Sequence, residues 1–211
     1  MKEKAYFITG TDTNIGKTYV ATRLLTEYQQ QGKSAIGLKP IASGAIQQHN
    51  ALVNEDALLL QQASSINIPL PNINPFVFEP AIAPHIAAMQ ANITLSCQTI
   101  KEEIMRTMGN YVADHYLIEG AGGLLVPIND TETIADLIKL LNLPIILIVG
   151  IKLGCINHAL LTNDYILQHK LPFAGWIANC LDANCAKQNA IIETLNKKMA
   201  APCLRVMPLI S

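Results

Sequence analysis

The run Ile-Ile-Leu-Ile-Val at 145–149 admits few architectures. A strand with one face in water alternates apolar and polar side chains. A strand that is apolar at consecutive positions is covered on both faces, as in a parallel sheet sandwiched between helices. Similar short apolar runs at 5–9, 35–39, 115–119, 173–178 and 204–207 read as strands. Stretches of mixed polarity at 17–31, 56–63, 95–108, 133–141, 157–170 and 184–199 read as the helices between them. In the first of these, Val20, Leu24 and Tyr28 recur every fourth position and form one apolar stripe, and Gly32 stands where a helix-terminating glycine belongs. The alternation predicts an α/β fold, a mostly parallel sheet flanked by helices on both faces. The segment 66–84, rich in proline and asparagine, reads as an irregular excursion. No repeat, low-complexity tract or Gly/Ser linker divides the sequence, so residues 1–211 read as a single domain.

The bulk properties narrow the function classes. Half of the residues are hydrophobic and 15% are charged, which argues against disorder. The formal net charge of -1 and the lack of a long basic run give no support to nucleic acid as a partner. The five cysteines form no C-x-x-C pair and no zinc spacing; they read as reduced, mostly buried thiols of a cytoplasmic protein. The short apolar run after Met1 leads straight into a glycine loop and lacks the length and cleavage site of a signal peptide. The stretch 143–151 is too short for a bilayer and contains Pro144.

In a parallel α/β sheet ligands sit beyond the carboxyl ends of the strands, and polar clusters follow five of the expected strands. The first is Gly10-Thr11-Asp12-Thr13-Asn14-Ile15-Gly16-Lys17-Thr18, between a strand and a helix. Glycines let successive backbone amides point at one centre, and the helix start adds positive potential, so this is a phosphate cradle of the P-loop NTPase kind. Lys17 would reach the β- and γ-phosphates of ATP and Thr18 would ligate Mg²⁺. Five residues separate the first glycine from Gly16-Lys17-Thr18, where the common motif has four. Lys39, heading Lys-Pro-Ile-Ala-Ser-Gly, is placed to stabilise charge at the γ-phosphate. Glu119, heading Glu-Gly-Ala-Gly-Gly, is the acidic metal partner such a loop requires. Asp56, by its position alone, reads as a helix cap. The cluster at 150–158 opens a helix whose free amides suit a carboxylate, and His158 there reads as a first-turn polar residue, not a metal ligand. Asn179 offers a donor and an acceptor suited to a purine edge. The residues by themselves reach a Mg-ATP enzyme with a small anionic second substrate.

Taken together, these stretches resemble the dethiobiotin synthetases. The resemblance rests on Gly-Thr-Asp-Thr-x-x-Gly-Lys-Thr at 10–18, Lys-Pro-x-Ala-Ser-Gly at 39–44, Asp56 in Asp-Ala-x-x-Leu, and Pro84-His85. It also rests on Glu-Gly-Ala-Gly-Gly at 119–123, Lys-Leu-Gly-Cys-Ile-Asn-His-Ala at 152–159 and Gly-Trp-x-Ala-Asn at 175–179. It covers the chain to about residue 180 and more loosely to the end, and the five-residue spacing is this family's own. The resemblance implies ATP- and Mg²⁺-dependent ring closure of 7,8-diaminononanoate with CO₂, by a homodimer. It implies catalytic roles for Lys39 and Lys17, and metal binding by Thr18, Asp56 and Glu119, in place of the cap reading of Asp56. Nucleotide contacts are implied for Asn14, Ile15, Gly16, Lys17, Thr18, Tyr19, Asp56, Glu119, Gly120, Ala121, Gly122, Asn179, Cys180, Pro208, Leu209 and Ile210. Substrate contacts are implied for Thr11, Ser43, Leu153, Gly154, Cys155, Ile156 and Asn157, the last five across the dimer interface.

Two positions depart from the family's pattern. Cys180 stands where aspartate is frequent, and the sequence stops after Pro208-Leu209-Ile210-Ser211, where relatives commonly continue into a helical tail. Both suggest relaxed selectivity for ATP over CTP. The rival reading is a partitioning-type P-loop ATPase switch. That class carries an extra lysine early in the loop, where Asp12 stands here, and its membrane-binding members end in a basic amphipathic helix that is missing from this sequence.

Overall fold

The structure, a computed structural model, describes residues 4–182, Cys185 and 187–208. In chain order the elements are β1 (Lys4–Gly10), α1 (Lys17–Gln30), β2 (Ala35–Leu38), β3 (Ile41–Ser43), β4 (Ile46–Gln48), β5 (Ala51–Val53), α2 (Glu55–Ala63), α3 (Leu70–Ile73), β6 (Phe76–Phe78) and α4 (Pro84–Gln90). Then follow α5 (Cys97–Asn110), β7 (His115–Gly123), α6 (Ile134–Leu141), β8 (Ile145–Ile151), α7 (Cys155–Gln168), β9 (Phe173–Cys180), α8 (Gln188–Lys198) and β10 (Cys203–Met207). The six strands anticipated from apolar runs form one sheet in the order β10-β9-β8-β1-β7-β2, parallel throughout.

The period-two geometry of the strands sorts their apolar side chains into two cores. Phe7, Tyr116, Ile118, Leu147, Val149, Trp176 and Ala178 face one side, with Ile100 and Ile104 of α5, Leu137 and Ile138 of α6 and Ala159 and Ile166 of α7. Their neighbours Ile8, Leu117, Ile146, Ile148 and Ile177 face the other, with Val20, Ala21 and Leu25 of α1 and Leu60 of α2. Helices therefore cover both faces of the mostly parallel sheet. Gly37 lets α1 and α2 approach β2, since a Cβ there would lie 2.8 Å from Leu25 Cδ1 and 2.9 Å from Leu60 Cδ2.

β1 sits between β7 and β8, and the chain leaves it in both directions: α1 leads outward to β2, whereas α6 carries β7 across β1 to β8. The crevice at such a switch point lies above the carboxyl end of β1. The opposite end of the sheet is clamped by Asp114, whose Oδ2 accepts from Ser34 N at 2.9 Å and Ser34 Oγ at 3.0 Å, while Ser34 Oγ accepts from Asp114 N at 2.9 Å. These bonds join the starts of β2 and β7.

The structure refines several sequence expectations. The segment 66–84 is not irregular throughout: it contains α3 and β6, and β6 pairs in parallel with β3, Ile41 opposite Phe76. Asn74 holds it in place, its Nδ2 donating to Lys39 O at 2.7 Å and to Phe76 O at 3.3 Å. Strand β7 runs through the glycines to Gly123 instead of stopping at Glu119. The helix anticipated at 157–170 starts at Cys155. The helix anticipated at 184–199 is Gln188–Lys198, with Asn184 outside the described residues. Gly32 has a positive φ of 72° directly after α1, as a terminating glycine should. Cys97, Cys155 and Cys180 are buried, whereas Cys185 and Cys203 are half-buried; none of the five is in a disulfide. Among the described residues no helix is long and apolar enough to cross a membrane.

Two measurements check this architecture. Leu117, fully buried at the centre of β7 against α1, should on replacement by alanine cost about 2–5 kcal/mol, read as a lower urea midpoint with an unchanged slope. The Asp114 clamp should be pH-dependent. The backbone and hydroxyl bonds from Ser34 hold the Asp114 pKa below its ordinary 3.8, so its contribution is full above that value and is lost as pH falls through the folded-state pKa. The gap in urea midpoint between the protein and Asp114→Asn should be present at neutral pH and close towards the acid limit.

Candidate active site

Five polar clusters stand at the carboxyl ends of β1, β2, β7, β8 and β9, and three of them meet at one cavity of about 1080 Å³. The loop after β1 is held by bonds of its own and by bonds from β9 and from the loop after β8. Gly16, φ 80°, turns the chain into α1, and the buried side-chain amide of Asn179 on β9 donates to Ile15 O at 2.8 Å. Asp12 braces the start of the loop, its Oδ1 accepting from Thr13 N at 2.8 Å and its Oδ2 facing Lys152 Nζ at 3.3 Å. Lys17 folds back over the loop, with Nζ 3.0 Å from Asp12 O.

At the cavity floor one ammonium sits between two carboxylates. Lys39 Nζ lies 3.0 Å from Asp56 Oδ2 and 2.5 Å from Glu119 Oε1, and Thr18 Oγ1 donates to that same Oε1 at 2.9 Å. Lys39 and Glu119 have side-chain exposures of 6% and 1%, so this pairing is screened little by water, whereas Asp56 is 44% exposed and faces the cavity. Burial opposes the charge on Lys39, but Glu119 and Asp56 outweigh it and keep its pKa above that of an ordinary lysine. Burial likewise opposes ionisation of Asp56, and Lys39 outweighs it and lowers the pKa. Among the described residues Lys17 has no carboxylate in hydrogen-bonding contact. Burial, reinforced by repulsion from Lys39, pulls its pKa down to about 8.

The helix-cap reading of Asp56 is corrected here: Asn54 is the N-cap of α2, its side chain accepting from Ala57 N. One turn of helix with the cap already supplied leaves the Asp56 carboxylate free for Lys39.

The donor set at the cavity floor, one hydroxyl and two carboxylates, is that of a hard divalent cation such as Mg²⁺. Among the described residues no cluster of three or more His, Cys, Asp or Glu exists. Mg²⁺ does not need one, because it takes one or two carboxylates and completes its shell with water and phosphate. A hydroxyl and two carboxylates converge on a cation here, and Glu119 Oε2 is buried without a hydrogen-bond partner among the described residues. The residues fit.

Among the sequence-derived residues, Asn14, Gly16, Lys17, Thr18, Tyr19, Lys39, Ser43, Asp56, Glu119, Ala121 and Gly122 line the cavity. The Ser43 hydroxyl is buried and unpartnered among the described residues. Others lie outside it. Ile15 is core; Gly120 backs onto Phe7; Thr11 donates its backbone N–H to Ile148 O. Asn179, expected at a purine edge, commits its amide nitrogen to the loop, and Cys180 beside it is buried. Leu153 to Asn157 stand apart on the loop after β8 and the start of α7, Leu153 being 95% exposed. Pro208 is exposed, and Leu209 and Ile210 lie outside the described residues. Sequence reading missed Asn54, Leu59, Ile82, Val126 and Leu181 on the cavity wall. Asn54 could have been found as the cap ahead of an acidic helix start; the apolar four carry no local signal.

Comparison with known proteins fits this geometry. A family model described as an AAA domain matches residues 4–210. The ATP-dependent dethiobiotin synthetase BioD of Cellvibrio japonicus (strain Ueda107) is 47% identical over the whole of this chain and 92% of its own length. The chain belongs to the dethiobiotin synthetase family. The family's enzyme from Pseudoalteromonas translucida (strain TAC 125) is 43% identical, over 97% of this chain and 90% of its own. Among solved structures, the septum site-determining protein MinD from Pyrococcus horikoshii OT3, complexed with Mg-ADP, superposes with a TM-score of 0.62 at 16% identity, covering 98% of this chain and 82% of its own. A ParA family ATPase from Chlorobium tepidum gives 0.55 at 11%, covering 98% and 84%. At such identities these two show that this dethiobiotin synthetase family member shares the P-loop NTPase fold, and nothing more.

One substitution checks the loop. A Cβ at Gly16 would lie 2.2 Å from Asn179 Nδ2, and the backbone there is left-handed, so Gly16→Ala should lower stability by about 1–3 kcal/mol in thermal unfolding.

Proposed function

We propose that the chain, acting as one unit over residues 1–211, catalyses Mg-ATP-dependent closure of a cyclic urea from 7,8-diaminononanoate and CO₂, giving dethiobiotin, ADP and phosphate. The observation that carries this reading is the Lys39 ammonium, buried between Asp56 and Glu119 beside a phosphate loop, in a member of the dethiobiotin synthetase family.

One amine of the diamine adds to CO₂ and loses a proton, giving a carbamate. A carbamate oxygen attacks the γ-phosphorus of ATP and the bond to ADP breaks, leaving a carbamic-phosphoric anhydride. The second amine then attacks the anhydride carbonyl, phosphate leaves, and loss of a proton completes the ring. None of these steps needs a covalent enzyme nucleophile; each needs anions held together and aligned. Lys17 and the loop amides would bind the nucleotide phosphates. Lys39 would steady the carbamate and the transferring phosphoryl group. Thr11 and Ser43 would hold the reacting end of the diamine. Thr18, Asp56 and Glu119 would hold Mg²⁺, which when bound supplies charge neutralisation at the phosphates.

Asn179 near the carboxyl end of β9, bonded to the phosphate loop, would edge the adenine. Since Leu153 is almost fully exposed and Leu153 to Asn157 lie outside the cavity, we assign this loop to the substrate carboxylate in the cavity of a second subunit of a homodimer.

Incubation with the diamine, bicarbonate and Mg-ATP should yield dethiobiotin and phosphate in equal amounts; ATP hydrolysis without the cyclic urea would overturn the assignment. Lys39→Ala should reduce kcat by about 10²–10³, the scale of removing one charge-stabilising group, with the nucleotide still bound. Full synthesis by that variant would remove the role given to Lys39.

A further inference from the structure

Lys39 occupies one oxygen of each carboxylate that would hold a metal in this site. Its ammonium is 2.5 Å from Glu119 Oε1 and 3.0 Å from Asp56 Oδ2, so a second cation approaching either carboxylate meets its charge at close range, in surroundings that screen it little. We propose that Lys39 is a built-in counter-cation, which closes the Thr18–Asp56–Glu119 site to a free divalent ion and yields it only to a metal that arrives with nucleotide. The inference rests on the assignment of those three residues as the metal ligands.

Charge decides the matter. At the cavity floor Lys17 and Lys39 balance Asp56 and Glu119, with Glu55 exposed at the rim. A bare dication would bring two positive charges into a balanced, largely dehydrated cluster, and it would push the Lys39 ammonium off Glu119 with no new anion to receive it. A metal–triphosphate complex carries net negative charge. It brings phosphoryl oxygens towards which Lys39 can turn as the carboxylates pass to the metal. In the nucleotide-free protein the same ammonium prevents two converging carboxylates, one of them 1% exposed, from facing each other uncompensated. Glu119 directs both its bonds through Oε1, and Oε2 is left buried and unpartnered among the described residues. The ammonium therefore satisfies half of this carboxylate.

The experiment is a titration of nucleotide-free protein with Mn²⁺, free ion being followed by electron paramagnetic resonance. The native protein and Lys39→Arg should bind weakly, and Lys39→Gln should bind about tenfold tighter or more. Adding Asp56→Asn to Lys39→Gln should abolish the gain. Equal Mn²⁺ affinity for the native protein and Lys39→Gln, both weakened by Asp56→Asn, would overturn the counter-cation and leave the ligand assignment standing. A gain in Lys39→Gln that Asp56→Asn does not touch would overturn the ligand assignment and the proposal with it. Should Lys39→Gln fold poorly without metal, thermal unfolding gives the second reading. Mn²⁺ raising its Tm more than that of the native protein supports the proposal, and equal shifts overturn it.

Discussion

The Glu119 carboxylate has to be buried for the site to exist, and much of the surrounding structure follows from what keeps it tolerable there. It sits within β7, flanked by the strands β1 and β2 that end in Gly10 and Leu38. A lone carboxylate at that depth would be neutralised or would break the packing. The ammonium of Lys39 and the hydroxyl of Thr18 make it stable, and they come from the next residue after β2 and the first turn of α1. One anion thus ties together three segments distant in sequence, at the place where the nucleotide phosphates would lie.

The parallel sheet provides the means. Since all six strands run the same way, every loop after a strand opens on the same edge, and insertion of β1 between β7 and β8 parts the connecting helices above it. The division of the strand side chains into two cores leaves the backbone of β1 fixed from both faces, so the phosphate loop departs from a rigid base. Asn179 extends that rigidity across the sheet by bonding the loop from β9.

The sequence made the central sheet legible because uninterrupted apolar runs leave a strand few alternatives to burial on both faces. Lys39 and Glu119 were legible because each ends such a run, and Lys17 and Thr18 because a glycine loop carries them from the first run into a helix start. The small pairings β3–β6 and β4–β5 were not: three-residue strands carry no periodicity, and β6 depends on the side chain of Asn74, an interaction across 35 residues. Asp56 was ambiguous for a related reason. An acid at a helix start is locally indistinguishable from a cap, and only the placement of Asn54 and Lys39 separates the two roles. The apolar cavity wall, Leu59, Ile82 and Val126, was invisible because exposure of such side chains to a cavity is a property of the assembled fold.

Lys17 lies 7% exposed, with its ammonium resting on the carbonyl of Asp12. Folding has therefore already stripped most of the water from this cation, and has left it with a neutral partner that is weaker than a phosphate. An arriving anion meets a charge that does not have to shed its hydration shell, and the contact becomes an exchange of one oxygen for a better one. Seen this way the loop is a hydration trap set in advance: the unfavourable dehydration belongs to the folding equilibrium, and the encounter with ligand retains the attraction.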